Sequence, residues 1–195
     1  MRKVIFHENY IEFKQYEFQV SSVRDRPKIT AEMINEVDLN TSPPSIVINH
    51  NEVIFIESRY KKKFIEFVKQ NKLKVENRFD IWEALNEVFL DTEFTPQHQE
   101  RTLQQLQQNG FSQEEVLEIR DKIRELMSGW GSVAWEWNYL GHYDLLLNKK
   151  QSYLLLFPKD FYWWTMEIAL RNYKGNITQS ADNQIVEVGS QNEPQ

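Results

Sequence analysis

Cysteine is absent from the 195 residues, so no disulfide, thiolate nucleophile or zinc–thiolate centre is available. Glycine and proline are scarce, six of each, so each one carries positional weight as punctuation. No window approaches the roughly 18 consecutive apolar residues that a membrane-spanning helix needs. The N-terminus reaches Glu8 before any apolar run of signal-peptide length, so a cytoplasmic chain without a membrane span is expected. Asn176-Ile177-Thr178 fits the glycosylation pattern, which has no meaning in that compartment. Also missing are G-x-S-x-G, HExxH, paired ExxH and DxD motifs and any glycine-rich phosphate loop. Gly129-Trp130-Gly131-Ser132 lacks the glycine spacing and preceding strand of a dinucleotide site. No cofactor and no metal are therefore expected. A net charge of −6 further disfavours polyanions as the main partner.

Aromatic residues, by contrast, are concentrated. Five of the six tryptophans lie between Trp130 and Trp164, with Tyr139, Tyr143, Tyr153, Phe157, Phe161 and Tyr162 among them. Each buries roughly 150–250 Å², so the stretch Trp130–Tyr173 supplies either the main core or a binding surface.

The first third reads as β-rich. Val4-Ile5-Phe6, Ile11 and Phe13, and then Tyr16, Phe18 and Val20 carry β-formers. His7-Glu8-Asn9 is the expected turn, and a phase change at Lys14-Gln15 implies a bulge or second turn. Residues 21–28 read as a loop. Ile46-Val47-Ile48 and Val53-Ile54-Phe55-Ile56 flank the polar turn Asn49–Glu52 as a second hairpin, apolar enough to need cover on both faces. A helix at 59–72 faces this sheet with Phe64, Phe67 and Val68. It carries the one basic concentration: Arg59, Lys61, Lys62, Lys63, Lys69, Lys72, Lys74 and Arg78 against Glu66 and Glu76. Residues 79–128 hold eleven acids and four bases, so an acidic neighbour within the chain is the expected counterpart.

From there the pattern is helical. Asp80 caps Ile81–Leu90, with Glu83 placed for a capping box. Thr95-Pro96 opens a helix that stops at Asn109-Gly110. Ser112-Gln113-Glu114-Glu115 opens the next, with Val116, Ile119, Ile123 and Met127 as its buried stripe. This pair has the outline of a helix-turn-helix, but Glu114, Glu115, Glu118, Asp121 and Glu125 would meet phosphates, so no DNA reading is expected. A helix from Ser132 to about Leu147 follows, interrupted or not at Gly141. Strands at Tyr143–Leu147 and Tyr153–Phe157 are the alternative. Pro158 starts a last helix, with Phe161, Trp164 and Ile168 on one side and Trp163, Met166, Leu170 and Tyr173 on another. Residues 176–195 read as a disordered tail.

The fold class expected is α+β: a small antiparallel β-sheet with a capping helix (1–76) packed against a C-terminal helical lobe (77–175). Two polar constellations stand out. Asp91, Glu93 and His98 have metal-ligating chemistry, though acids at a helix start ordinarily serve its dipole. Glu136, Asn138, His142 and Asp144 sit among Trp135, Trp137, Trp163 and Trp164, where tryptophan walls would shift a pKa. The leading reading is a non-enzymatic interaction or regulatory protein, of adaptor or toxin-neutralising type. It would meet a protein partner or a second copy through Trp135, Glu136, Trp137, Asn138, His142, Asp144, Trp163 and Trp164. One alternative is a small enzyme using Glu136, His142 and Asp144 in an aromatic pocket. Another is nucleic-acid or anionic-lipid binding through 59–78.

Overall fold

The computed structural model describes residues 3–90, 94–128, 140–152 and 157–171. The fold is α+β: among the described residues, two three-stranded antiparallel sheets and a first helix in the N-terminal half are followed by a region of five helices. The first sheet joins β1 (Val4–Phe6), β2 (Tyr10–Phe13) and β3 (Lys28–Thr30). Its first turn is His7-Glu8-Asn9, as expected, closed by the His7 N–H on the Tyr10 carbonyl at 2.9 Å. The second sheet joins β4 (Ile34–Asp38), β5 (Ser45–Ile48) and β6 (Glu52–Phe55). Its hairpin places Asn49 at φ 50° and His50 at φ 54°, a region where a side chain other than glycine's is disfavoured. Asn35 stabilises that turn by accepting from the His50 N–H at 2.8 Å.

Residues of β5 and β6 alternate between two cores. Ile46, Ile48 and Ile54 join Phe64, Phe67 and Val68 of α1 (Lys61–Gln70). Val47, Val53 and Phe55 face the other way, into the core of the helical region. Cover on both faces is what the unbroken apolar runs require. The helical region comprises α2 (Ile81–Asn86), α3 (Pro96–Gln108), α4 (Gln113–Ser128), α5 (His142–Ser152) and α6 (Lys159–Ala169). Asp80 caps α2 by accepting from the Trp82 and Glu83 N–H groups. Thr95 caps α3 through the His98 N–H. The α3 terminus is a Schellman closure: Phe111 N–H bonds the Leu106 carbonyl, Gly110 N–H bonds that of Gln107, and Gly110 takes φ 83°. Ser112 then caps the start of α4 through the Glu115 N–H.

Several expectations need correction. Residues 16–20 form no strand, because Tyr16 leaves the first sheet to pack against both cores and Phe18 enters that of the helical region. Residues 29–38, unassigned from sequence, together with Lys28 from the expected loop supply β3 and β4; Glu36 is carried in β4 nearly buried because Arg78 pairs with it at 2.6 Å. The α2 helix ends at Asn86 and tightens into a 3-10 turn at Glu87–Phe89 rather than running to Leu90. Residues 142–152 are helical, which excludes a strand at 143–147 and a turn at 148–151. Gly141 marks the start of α5, its carbonyl accepting from the Leu145 N–H. The 132–139 part of the expected helix, the 153–156 part of the expected strand and the tail lie outside the described residues.

Candidate functional site

The helix α6 lies over β6 and decides which aromatics are available. Five of its side chains, Tyr162, Thr165, Met166, Ile168 and Ala169, are buried. The sequence pairing of faces missed three of them, Ala169 and the fully buried Tyr162 and Thr165. The polar atoms of the latter two explain their burial. Tyr162 donates its hydroxyl to Glu52 Oε1 at 2.8 Å. The same carboxylate accepts from the Ser21 hydroxyl at 2.6 Å, the Ser22 N–H at 3.2 Å and the Ser22 hydroxyl. Glu52 is 1% exposed; a carboxylate survives there because its oxygens are occupied by donors. The outer edge of β6 is closed by the same neighbours. Met166 Sδ accepts from the Val53 N–H at 3.3 Å and the Tyr16 hydroxyl accepts from the Phe55 N–H at 3.0 Å. Burial, with Glu52 close by, holds the Tyr16 and Tyr162 phenols well above the ordinary range.

His142, at the first position of α5, sits in this interior between Trp82 and Phe55, with ring centroids 6.0 and 5.4 Å away. Thr165 donates its hydroxyl to the Tyr162 carbonyl at 2.8 Å, so it accepts from His142 Nε2 at 3.0 Å. That assigns the proton to Nε2. Nδ1 is buried with no hydrogen-bond partner. Burial first, and then the Arg78 charge, push the His142 pKa down to about 3. Asp144 has a different role. Its Oδ2 accepts from the Gly141 N–H at 3.0 Å and so fixes the entry to α5, while burial raises its pKa to about 6. The structure thus puts His142 and Asp144 on one helix without joining them in a pair. Trp135, Glu136, Trp137 and Asn138 lie outside the described residues.

A recess of about 370 Å³, counting its open mouth, runs past His142 and Tyr143 between Ser42, Ser45, Arg78 and Asp80. Its interior admits only water-sized molecules. Arg78 is held there by Glu36, and its N–H bonds Asp38 at 3.1 Å.

No family model matches the chain. Searches of curated proteins and of solved structures likewise return no match. What the molecule can do must therefore be read from its surface chemistry.

Trp163 and Trp164 both remain half-buried, rather than dividing into one core and one surface residue. Successive helical positions turn by about 100°, which places the pair on either side of an outward line through the exposed Asp160 and Glu167. Trp164 rests its edge on Trp82 at 5.6 Å and its face under Lys122 Nζ at 3.8 Å. Trp163 meets Tyr162 edge to face at 5.3 Å. Phe161, beside Trp164, carries Lys149 Nζ at 4.9 Å.

His98 does not stand alone as a ligand candidate. It bonds Glu87 Oε2 at 3.1 Å and stacks on Phe94 at 4.6 Å. Thr102 donates to the same Glu87 oxygen at 2.9 Å, which ties α3 to the turn after α2. Asp91 and Glu93 lie outside the described residues. A third polar set escaped sequence reading: Glu17 accepts from the Tyr143 hydroxyl at 2.8 Å and pairs with Lys150 at 2.9 Å. Its members are 126 and 133 residues apart along the chain, so no local pattern announces it.

Proposed function

We propose that this chain is a non-enzymatic, cytoplasmic interaction protein, of regulatory, adaptor or toxin-neutralising type, that meets its protein partner through the outward face of α6. The carrying observation is the placement of Trp163 and Trp164, half-buried on both sides of the exposed Asp160 and Glu167, while Tyr162 and Trp82 beside them are wholly buried. Tryptophan is the residue most enriched at binding hot spots, because it buries a large area at low conformational cost. The acidic pair between the rings would favour a partner with a basic rim. No helix of the described residues is long and apolar enough to cross a membrane, which is compatible with an aqueous compartment.

An acid–base enzyme using Glu136, His142 and Asp144 has less support. A general base works best with a pKa near the working pH, and His142 lies near 3 with its Nε2 proton committed to Thr165. Asp144 is committed to the Gly141 N–H.

The test compares wild type with Trp163→Ala in native extract, using cross-linking to identify bound protein, with gel filtration to detect a second copy as the partner. A stoichiometric partner is expected, lost by the variant while its unfolding midpoint stays close to wild type. A partner retained by the folded variant would refute the proposal.

A further inference from the structure

From sequence, the basic segment 59–78 is expected to face acids in residues 79–128; the structure divides it instead. Arg59 pairs with Glu57 at 3.0 Å, Lys74 with Glu76 at 2.8 Å and Arg78 with Glu36 at 2.6 Å. These partners are local or lie in β4, not in residues 79–128. Lys61, Lys62, Lys63, Lys69 and Lys72 are all solvent-facing, and none forms an ion pair among the described residues. Lys61, Lys62 and Lys69 fall within about 100° of the helix surface; Lys63 lies about 100° further round, past the exposed Glu66, and Lys72 follows in the turn after the helix. Glu66 is the one acid on α1.

These lysines do not serve the helix. Three of them occupy the first turn of α1, where no acidic residue stands and where the macrodipole disfavours cations. The opposite face of the helix is spent on the sheet through Phe64, Phe67 and Val68. A patch that opposes local preference without gaining a contact inside the fold is placed for something outside it.

We infer that the outer face of α1 is a docking strip for the phosphate backbone of a nucleic acid, contacted without reading its bases. Three features select this occupant. All five cations are lysines, compact point charges that meet phosphates without demanding the bidentate geometry of arginine. The face carries a single, partly buried apolar side chain, Ile65, too little to insert into a bilayer, and a flat anionic membrane would bring up the rest of a chain whose net charge is −6. A strip about 15 Å long suits a linear polyanion, which can follow the helix without covering the rest of the surface. Bases go unread because no exposed aromatic lies among the lysines and the neighbouring Arg59 is engaged by Glu57 and the Tyr60 ring. This inference is independent of the α6 reading.

Fluorescence anisotropy of the full chain with a labelled single-stranded oligonucleotide and its duplex tests it. Binding is expected at low salt, with log K falling against log salt at a slope of about −4.5 for the duplex and about −3.5 for the single strand if all five lysines make contact. The double variant Lys62→Glu, Lys69→Glu replaces exposed side chains and should keep its circular dichroism and melting curve. It should bind at least tenfold more weakly with a shallower slope. Absence of binding at low salt would overturn the inference, as would unchanged binding by the folded variant. Equal affinity for polyglutamate, or preference for phosphatidylserine vesicles, would overturn the choice of a nucleic acid.

Discussion

His142 gives the structure a pH dependence whose size can be worked out. In the fold its pKa is pushed to about 3, against an ordinary 6.5, because charging the ring would strand a cation between Trp82 and Phe55. A base with a depressed folded pKa contributes stability in full above the unfolded value. As pH falls below 6.5 the unfolded chain takes up a proton that the native state refuses, so stability is lost until the pH reaches about 3. At about 1.4 kcal/mol per pH unit the loss is about 2 kcal/mol by pH 5. Asp144 opposes it: a carboxyl raised to about 6 from 3.8 adds stability as pH falls from about 6 towards 3.8. Partial exposure limits that gain to about 1 kcal/mol at pH 5. The wild type should therefore lose only about 1 kcal/mol between pH 7 and pH 5, because the aspartate offsets about half of what the histidine costs. Substituting His142→Gln isolates the histidine, since the amide keeps a donor for Thr165 and does not titrate. Urea unfolding followed by tryptophan fluorescence at both pH values should show the variant losing about 2 kcal/mol less than wild type over that interval, whatever its cost at pH 7. Parallel pH dependence in the two proteins would refute the assignment of His142 as a buried neutral ring.

The packing around α6 and the closure of α3 can be tested in the same way. Replacing Glu52→Ala strands the hydroxyls of Ser21, Ser22 and Tyr162 in the interior and should cost about 3–5 kcal/mol in urea unfolding; a loss under about 1 kcal/mol would show that this cluster does not hold α6 to β6. Substituting Gly110→Ala meets no clash, the nearest atom being Arg171 Cδ at 3.7 Å, yet φ +83° should make it cost about 1–2 kcal/mol by thermal melting, and a neutral result would dismiss the backbone argument.

What could be read in the sequence was local. Asp80, Thr95, Ser112 and Gly110 act on backbone groups within five positions, so their caps and closure were legible residue by residue. The same holds for Phe64, Phe67 and Val68, whose spacing declares one face of α1. Glu52 reads as a polar turn residue because its partners stand 30, 31 and 110 positions away. The β4 strand is hidden by Asn35 and Glu36, polar residues made acceptable by His50 and Arg78 across the fold. Tyr16 and Phe18 keep strand-like alternation but are drawn off the sheet by a core that only α6 completes. Of the candidate site, the concentration of tryptophans is legible in the sequence, but the half-buried placement of both Trp163 and Trp164 is not. The pinning of His142 by Thr165 is not either, since it depends on two helices meeting.

The inner face of α6 holds the fold, and its outer face is the one proposed to meet a partner. The most direct test measures stability and partner affinity in parallel for Tyr162→Phe and Trp163→Ala. Tyr162→Phe removes the hydroxyl given to Glu52 and should lower stability by about 1–2 kcal/mol while partner affinity is kept. Trp163→Ala should abolish partner capture in a protein that still unfolds cooperatively near the wild-type midpoint. Loss of binding in Tyr162→Phe with retention in Trp163→Ala would contradict the division.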